Sequence, residues 1–371
     1  MARLQPPPRQ EPSAAGPPDM LSIHNMPSSE LFRVGFTPDF GVQGKGLLDS
    51  AVAEVLAPEN GVAWELMPDT AGVAVPEVLD RYDAVIALDQ RFPAASFRGV
   101  ERLAVIARWG VGYDSIDVPA CTEAGVILAV TRDSVRRPVA EGILTLIFAL
   151  AKNLPALERN CRAGRWRQDP PRSINVEGRV LGSIGLGNIA GEMFRMARAL
   201  GFGRLLAYSP YSSPEEAAAL GVELADLATV LGESDFVTIN CPLTGETRGM
   251  IGARELALMR PTAYLVNTAR GAVVDESALV EVLRQRRIAG AGLDVFAGEP
   301  LPAGHPLCAL DNVILTPHLI VRTQECVRDT SLSACRSVRA VFRGTAPAYV
   351  ANPEVLERPR VRARLARGYS R

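Results

Sequence analysis

The chain of 371 residues carries three histidines, and one of them, His318, stands in the stretch ILTPHLIV, where a run of β-formers breaks at a proline. Imidazole is the side chain that titrates nearest neutrality, so a histidine at a strand end is a candidate for moving a proton to or from a bound molecule. Two other strand-like runs lead to charged side chains: YLVNTARG reaches Arg270, and LDVFAGEP reaches Glu299. In an open α/β sheet ligands bind outside the carboxyl ends of the strands, so three such ends can aim a guanidinium, a carboxylate and an imidazole into one crevice. The guanidinium would grip a carboxylate through its planar fork and polarise an adjacent carbonyl. The imidazole would pass a proton to the substrate oxygen, and the carboxylate would fix its tautomer and stabilise the imidazolium. Such a trio suits hydride transfer between a nicotinamide and a 2-oxo or 2-hydroxy acid, in which protonation of the oxygen accompanies the hydride step. Singly, Arg270 also fits a surface ion pair, Glu299 a turn before Pro300 and His318 a helix start; the coincidence of three strand ends carries the reading. His24, in a proline-rich leader, and His305, in PLPAGHPLCAL, read as solvated or locally capping residues.

Upstream of the trio lies VLGSIGLGNIAGEMFRMARALG, in which Gly185-Leu186-Gly187-Asn188-Ile189-Ala190 follows an apolar strand and opens an amphipathic helix. The first glycine permits a tight turn, the second lets the backbone approach a pyrophosphate, and the small third residue allows close helix–strand packing. The helix N-terminus then offers free N–H donors and a positive dipole end. The acidic residue expected about 20 positions on, to hold a ribose diol, is replaced by Ser209 in RLLAYSPYSS. A serine still bonds a ribose hydroxyl and does not repel a 2′-phosphate, but no arginine follows it. NAD is therefore the expected cofactor, with NADP admitted.

The elements that must hold these residues follow from periodicity. FRVGFT, VAWELM, YDAVIAL, RLAVIARWG and GVILAVT are short apolar β-type runs separated by helix-length segments, an alternation that implies a parallel sheet. A long helix is expected over 134–152. A second series follows in RVLGSIG, RLLAYS, DFVTIN, TAYLVNTA, AGAGLDVF and NVILTP. The fold class is therefore α/β, with two doubly wound, Rossmann-like parallel-sheet domains and a cleft between them. A final helix over TQECVRDTSLSACRSVRAVFRG would return to the first unit.

Composition bounds the partners. Lys+Arg 40 against Asp+Glu 41 leaves a net charge of −1, with no electrostatic footprint for nucleic acid or a membrane surface. The most apolar run, GILTLIFALA, is about half of the ~20 residues that a spanning helix needs. Six scattered cysteines without a C-x-x-C pair read as reduced thiols of a cytoplasmic protein. The leader, without an apolar h-region, reads as disordered rather than secretory, and globular patterning begins at LFRVGFT.

Across residues 33–351 the chain resembles the D-isomer-specific 2-hydroxyacid dehydrogenase family, which includes phosphoglycerate dehydrogenases, glyoxylate/hydroxypyruvate reductases and the C-terminal binding protein corepressors. The matching stretches are ARWGVGYDSIDVPACTEAGV, VRRPVAEGILTLIFALAKNL, GSIGLGNIAGEMFRMARALGF, the run from SDFVTINCPL to NTARGAVVDESAL, LDVFAGEPLP and NVILTPH. The resemblance implies that Arg270 binds the substrate, that Glu299 assists the acid/base His318, and that the loop Gly110-Val111-Gly112 holds the substrate carboxylate through backbone amides. It implies cofactor contacts from Gly185, Gly187, Asn188, Ile189, Ser209, Cys241, Pro242, Thr247, Thr268, Ala269, Arg270, Asp294 and His318, and no metal. It implies a discontinuous substrate domain over 31–131 and 319–352 and a cofactor domain over 132–318; composition adds a disordered leader over 1–30 and an Arg-rich, solvated tail over 353–371. A C2 homodimer is expected, in part because helix 134–152 is too apolar to stay exposed. Asn240 stands where many relatives have histidine, Ser209 replaces the usual acid, and LIVRTQE after His318 differs from the usual segment near the substrate side chain. Glu299 argues against the formate dehydrogenase branch, and no appended regulatory domain is expected after residue 352. The implied activity is NAD(P)-dependent oxidoreduction of a small 2-oxo/2-hydroxy acid; a dinucleotide-sensing, corepressor-like binding protein would keep the same pocket.

Overall fold

The computed structural model describes residues 31–42, 44 and 46–369; the leader expected over 1–30, with His24, lies outside the described residues. Strands β1 (Phe32–Phe36), β2 (Val62–Leu66), β3 (Ala84–Ala87), β4 (Val105–Arg108) and β5 (Ile127–Val130) form one sheet in the order β2-β1-β3-β4-β5. Strands β6 (Leu181–Ile184), β7 (Leu205–Tyr208), β8 (Glu223–Leu224), β9 (Phe236–Ile239), β10 (Tyr264–Asn267), β11 (Gly290–Leu293) and β12 (Val313–Leu315) form a second, in the order β12-β11-β10-β9-β6-β7-β8. Every pairing between these strands is parallel. All carboxyl ends of a sheet therefore open onto one edge, and in the second sheet the order reverses at β6, where β7 and β9 flank it.

Strands β3, β6, β9 and β11 are buried at every position. Helices cover both faces of such a sheet, so its strands are uninterrupted apolar runs rather than alternating ones, which makes them legible in the sequence. The two-residue edge strand β8, partly exposed and opening on Glu223, carries no such signal.

The helix Gln324–Phe342 packs back on the first sheet, with Ala334, Cys335, Val338, Val341 and Phe342 in the core built by β1, β3 and β4. The helix Arg136–Ala151 lies against the helix Asn188–Ala199 and against β10 and β11. Val139, Ala140, Ile143, Leu146, Ile147 and Leu150 are buried within the chain itself, so most of this helix is covered without a partner. What stays uncovered is an apolar groove around Leu144, Phe148, Leu154, Met196 and Leu200, with Leu154 58% and Leu200 41% exposed.

Residues 353–369, most of the segment expected as a solvated tail, are instead folded. The helix Pro359–Arg367 follows a short 3-10 turn and docks on the first domain. Val355 and Val361 are buried there, Leu365 packs on the same core, and Tyr369 meets the Phe32 ring edge-on at 4.7 Å. Arg364 Nη1 donates to Leu103 O at 2.8 Å. The apolar residues at 361, 365 and 369 recur with helical spacing, and the intervening arginines mask that stripe when the segment is judged by composition.

All six cysteines are free, and no single helix among the described residues is long and apolar enough to cross a membrane. His305 is a local cap: its Nδ1 accepts the Leu307 N–H at 3.3 Å, and its Nε2 lies 3.3 Å from Glu276.

Candidate active site

The two sheets present their carboxyl edges to one another. Arg270, three residues beyond β10, sends Nε to Asp114 Oδ1 at 2.7 Å, from the loop after β4, and Nη1 to its neighbour Ala269 O at 2.7 Å. The loop carrying it is clamped by the buried Asn267, whose Nδ2 donates to Arg270 O at 2.9 Å and whose Oδ1 accepts the Ala269 N–H at 3.0 Å. Nη2 is left facing Gly112. A β-carbon built on Gly112 would lie 1.5 Å from Nη2, so only glycine leaves room for the guanidinium. Among the described residues, the N–H groups of Val111 and Gly112 donate to no protein acceptor, and they lie beside that guanidinium. Together these donors fit one carboxylate.

Arg108, the last residue of β4, braces this loop from beneath. Its Nε donates to Gly112 O at 2.9 Å and its Nη1 to Trp109 O. Enclosure by protein pulls its guanidinium down to about 10, Asp89 opposing and Arg270 adding to the effect. It stays charged at neutral pH.

Opposite the cradle, Glu299 and His318 form a pair. His318 Nδ1 and Glu299 Oε2 are 2.8 Å apart, and Glu299 Oε1 accepts the Phe296 N–H at 2.9 Å. Burial alone would raise the Glu299 carboxyl, but the His318 bond, the Phe296 N–H and the field of Arg270 hold it below its ordinary value. The carboxylate thus orients an imidazole whose Nδ1 carries hydrogen and whose Nε2 is left for a ligand.

His318 sits at φ +57°, a left-handed backbone conformation uncommon for a side chain of this size. Asp294, beyond β11, stabilises it. Its Oδ1 accepts Thr316 Oγ1 at 2.6 Å and the N–H groups of Leu319 and Ile320 at 3.1 and 3.2 Å, bracketing the histidine on both sides. Burial pushes the Asp294 carboxyl up, and these hydrogen bonds oppose the shift.

Of the residues expected to hold the cofactor, Gly185, Gly187, Asn188, Ser209 and Cys241 lie just past the ends of β6, β7 and β9, at the reversal point of the second sheet. Gly185 has φ +101°, and a β-carbon there would lie 2.8 Å from the backbone of Asn240 and Cys241. Gly187 caps the helix Asn188–Ala199 without a side-chain bond, and nothing lies within 4 Å of where its β-carbon would stand. That open side and the unpartnered first-turn N–H groups fit a pyrophosphate. Ala190 is fully buried and Ile189 packs against the core, so these two seat the helix.

Ser209, one residue past β7, shares a 2.8 Å hydroxyl–hydroxyl contact with Ser212, whose Oγ reaches Leu186 O at 3.4 Å. Cys241 is half-buried, and burial pushes its thiol up to about 11. The Thr247 hydroxyl donates to Pro242 O at 2.6 Å and accepts the Thr244 N–H at 2.8 Å, shaping the loop after β9. Thr268 and Ala269 lie between β10 and Arg270.

Sequence reasoning overlooked Arg108, Asp114, Asn267 and Thr316. It also overlooked three arginines beside the glycine loop: a cavity of about 240 Å³ is lined by Arg132, Arg136 and Arg195 with Gly187 and Asn188. Glu216 lines the same cavity, and Arg195 Nη1 lies 3.2 Å from Glu192 Oε2.

Residues 144–319 match the model of the D-isomer specific 2-hydroxyacid dehydrogenase NAD binding domain. The chain is 40% identical over 253 residues to a D-3-phosphoglycerate dehydrogenase of Methanocaldococcus jannaschii, covering 68% of this chain and 48% of that one. It spans about half the length of the phosphoglycerate dehydrogenases it matches. A glyoxylate reductase of Korarchaeum cryptofilum is 37% identical over 294 residues, covering 78% of this chain and 88% of that one. Among solved structures, a protein of Thermus thermophilus superposes with a TM-score of 0.74 at 29% identity, over 86% of this chain and 99% of that one. With this degree of likeness over nearly the full length of the reductase, the chain belongs to the D-isomer specific 2-hydroxyacid dehydrogenase family.

Proposed function

We propose that the protein is an NAD(P)-dependent oxidoreductase that interconverts a small 2-oxo acid and the corresponding D-2-hydroxy acid. The observation that carries this reading is the His318–Glu299 pair at 2.8 Å, set across the cleft from a carboxylate cradle made by Arg270 and the Val111–Gly112 amides. The substrate carboxylate docks on Arg270 Nη2 and the loop N–H groups, with its carbonyl oxygen turned toward His318 Nε2. Arg270 draws electron density toward that oxygen, and His318 delivers a proton to it as the carbonyl becomes an alcohol. Glu299 stabilises the imidazolium before transfer and keeps the ring in the productive tautomer afterwards. Gly185, Gly187, Asn188 and Ser209 would hold a nicotinamide dinucleotide, which when bound supplies or accepts the hydride. In the reverse direction His318 takes the hydroxyl proton.

A homodimer covering the groove around Phe148, Leu154 and Leu200 accompanies this reading.

The experiment is a screen of glyoxylate, hydroxypyruvate, pyruvate and phenylpyruvate with NADH and NADPH, repeated with His318→Ala. Proton transfer by a positioned group contributes about 10²–10⁴-fold, so kcat is expected to fall by that order while dinucleotide binding persists. Turnover of none of these acids, or an undiminished kcat in the variant, sinks the proposal; dinucleotide binding without turnover would point to a sensing protein instead.

A further inference from the structure

Strands β1, β3 and β4 are neighbours in the first sheet, so the residues just past their carboxyl ends stand side by side at the cleft. They are Asp39, Asp89 and the Arg108–Asp114 loop. The Asp89 N–H donates to Asp39 Oδ2, and Leu88 N–H donates to Thr37 Oγ1 at 3.1 Å, which ties the end of β3 to the end of β1. Asp89 remains exposed. Partial enclosure of the carboxyl itself pushes it up, Arg108 and His318 opposing and Asp39 and Glu299 adding to the shift, so it lies within the electrostatic reach of all four.

The charge balance of this cleft decides what else fits beside a substrate carboxylate. The Arg108 guanidinium is engaged by the carbonyls of Trp109 and Gly112, and Arg270 by Asp114 and the Ala269 carbonyl, which leaves Arg270 Nη2 for the first carboxylate. Four carboxylates face them: Asp39, Asp89, Asp114 and Glu299. The cradle at Arg270 and the Val111–Gly112 amides accommodates one anionic group. A second, farther along the substrate, would meet Asp89 while both of these guanidiniums are committed elsewhere. A hydroxyl there would donate to the Asp89 carboxylate, and an ammonium or guanidinium would pair with it.

We infer that Asp89 is the specificity-determining residue for the distal end of the substrate, so that the cleft takes 2-oxo acids with an uncharged, hydroxylated or cationic tail and turns away those carrying a second anionic group. This inference rests on the activity proposed above and names its substrate class. It also separates the chain from the phosphoglycerate dehydrogenases it resembles, because a phosphorylated 2-oxo acid is the substrate this charge arrangement disfavours most.

The test compares hydroxypyruvate, 3-phosphohydroxypyruvate and 2-oxo-5-guanidinopentanoate as substrates of the full chain with NADH, in the wild type and in Asp89→Asn. Asp89→Ser, checked for native circular dichroism, serves as a second variant. Removing one charge a few ångströms from another at an effective dielectric near 20 changes affinity by about tenfold to a hundredfold. The wild type is expected to favour hydroxypyruvate over its phosphorylated form by about a hundredfold in kcat/KM. Asp89→Asn should narrow that ratio by about tenfold or more, chiefly through KM, while kcat/KM for the guanidino acid falls. Opposite movement of anionic and cationic substrates identifies charge rather than size as the cause. A wild type that uses 3-phosphohydroxypyruvate as well as hydroxypyruvate, or ratios unmoved in both variants, overturns the inference. If no 2-oxo acid turns over at all, the activity proposal falls separately. Calorimetric binding of D-glycerate against 3-phosphoglycerate then decides this inference: weaker 3-phosphoglycerate binding that Asp89→Asn restores upholds it, and equal binding refutes it.

Discussion

Gly112→Ala tests the cradle at its tightest point. The added methyl would fall 1.5 Å from Arg270 Nη2 and 2.5 Å from Cζ. Ordinary contact between such atoms is about 3.5–4.0 Å, so the guanidinium must retreat by about 2 Å. Gly112 does not lie at positive φ, so alanine meets no backbone strain, and the atoms it strikes are the mobile end of a long side chain. Folding should therefore lose little more than the partly exposed Arg270–Asp114 pair, which at such a site contributes about 0–1 kcal/mol. Catalysis should lose far more, because misplacement by about 1 Å can cost about 10²-fold. Initial rates of 2-oxo acid reduction, followed by loss of the reduced nicotinamide absorbance, should show kcat/KM down by about two orders of magnitude or more. Thermal denaturation should show Tm lowered by no more than about 4 °C. In an Arg270→Ala background the same substitution should do little, since the clashing atoms are gone; that non-additivity is the signature of the contact. Full turnover in Gly112→Ala, or an additive loss in the double variant, would refute the reasoning.

Glu299→Gln keeps the shape and removes the charge that stabilises the imidazolium. The pair is partly exposed, with side chains 43% and 36% accessible, so screening limits the loss in kcat to about 10–100-fold. An unchanged kcat would count against the pair. Glu299 is held below its ordinary 4.5, so its contribution to stability is present above that pH and lost only as pH falls below it. A denaturation series should therefore show the wild type and variant converging in stability at acid pH, and a constant gap would argue otherwise. Ser209→Asp should raise the NADH over NADPH ratio of kcat/KM by about tenfold or more through repulsion of the 2′-phosphate; a wild type that already excludes NADPH about a thousandfold would remove Ser209 from that choice. Light scattering at micromolar concentration should report a dimer, and Phe148→Glu should dissociate it; a stable wild-type monomer would disprove the assembly.

The residues that the sequence marked as chemical were those announced by their position on a strand. An apolar run followed by Arg270, Glu299 or His318 is a local pattern, and a parallel sheet turns local position into a shared edge. The glycine loop was legible for the same reason, since strand, turn and helix are contiguous. Strand β8 was not, because two residues on an edge bury too little to leave a pattern. The helix at 359–367 was missed because arginines outweigh its few apolar positions in any compositional reading, although Val361 is almost fully buried.

The sequence by itself determined two parallel sheets, their order of strands along the chain, and the side chains carried past several of their ends. Tertiary structure alone decided which of those ends meet. Arg270 and Asp114 are 156 positions apart and 2.7 Å distant, and nothing within either segment encodes that pairing. Arg108 lies inside an apolar strand, where a charge reads as an interruption until the loop it braces has folded over it. Asp294 reads as a polar strand end, yet its carboxylate holds the left-handed turn at His318. Asp89 acquires its role only because β1, β3 and β4 are adjacent, an order set by crossover connections rather than by sequence proximity. Periodicity is written along the chain, whereas the charge balance of a cleft is a sum over groups that only packing brings within reach of one another.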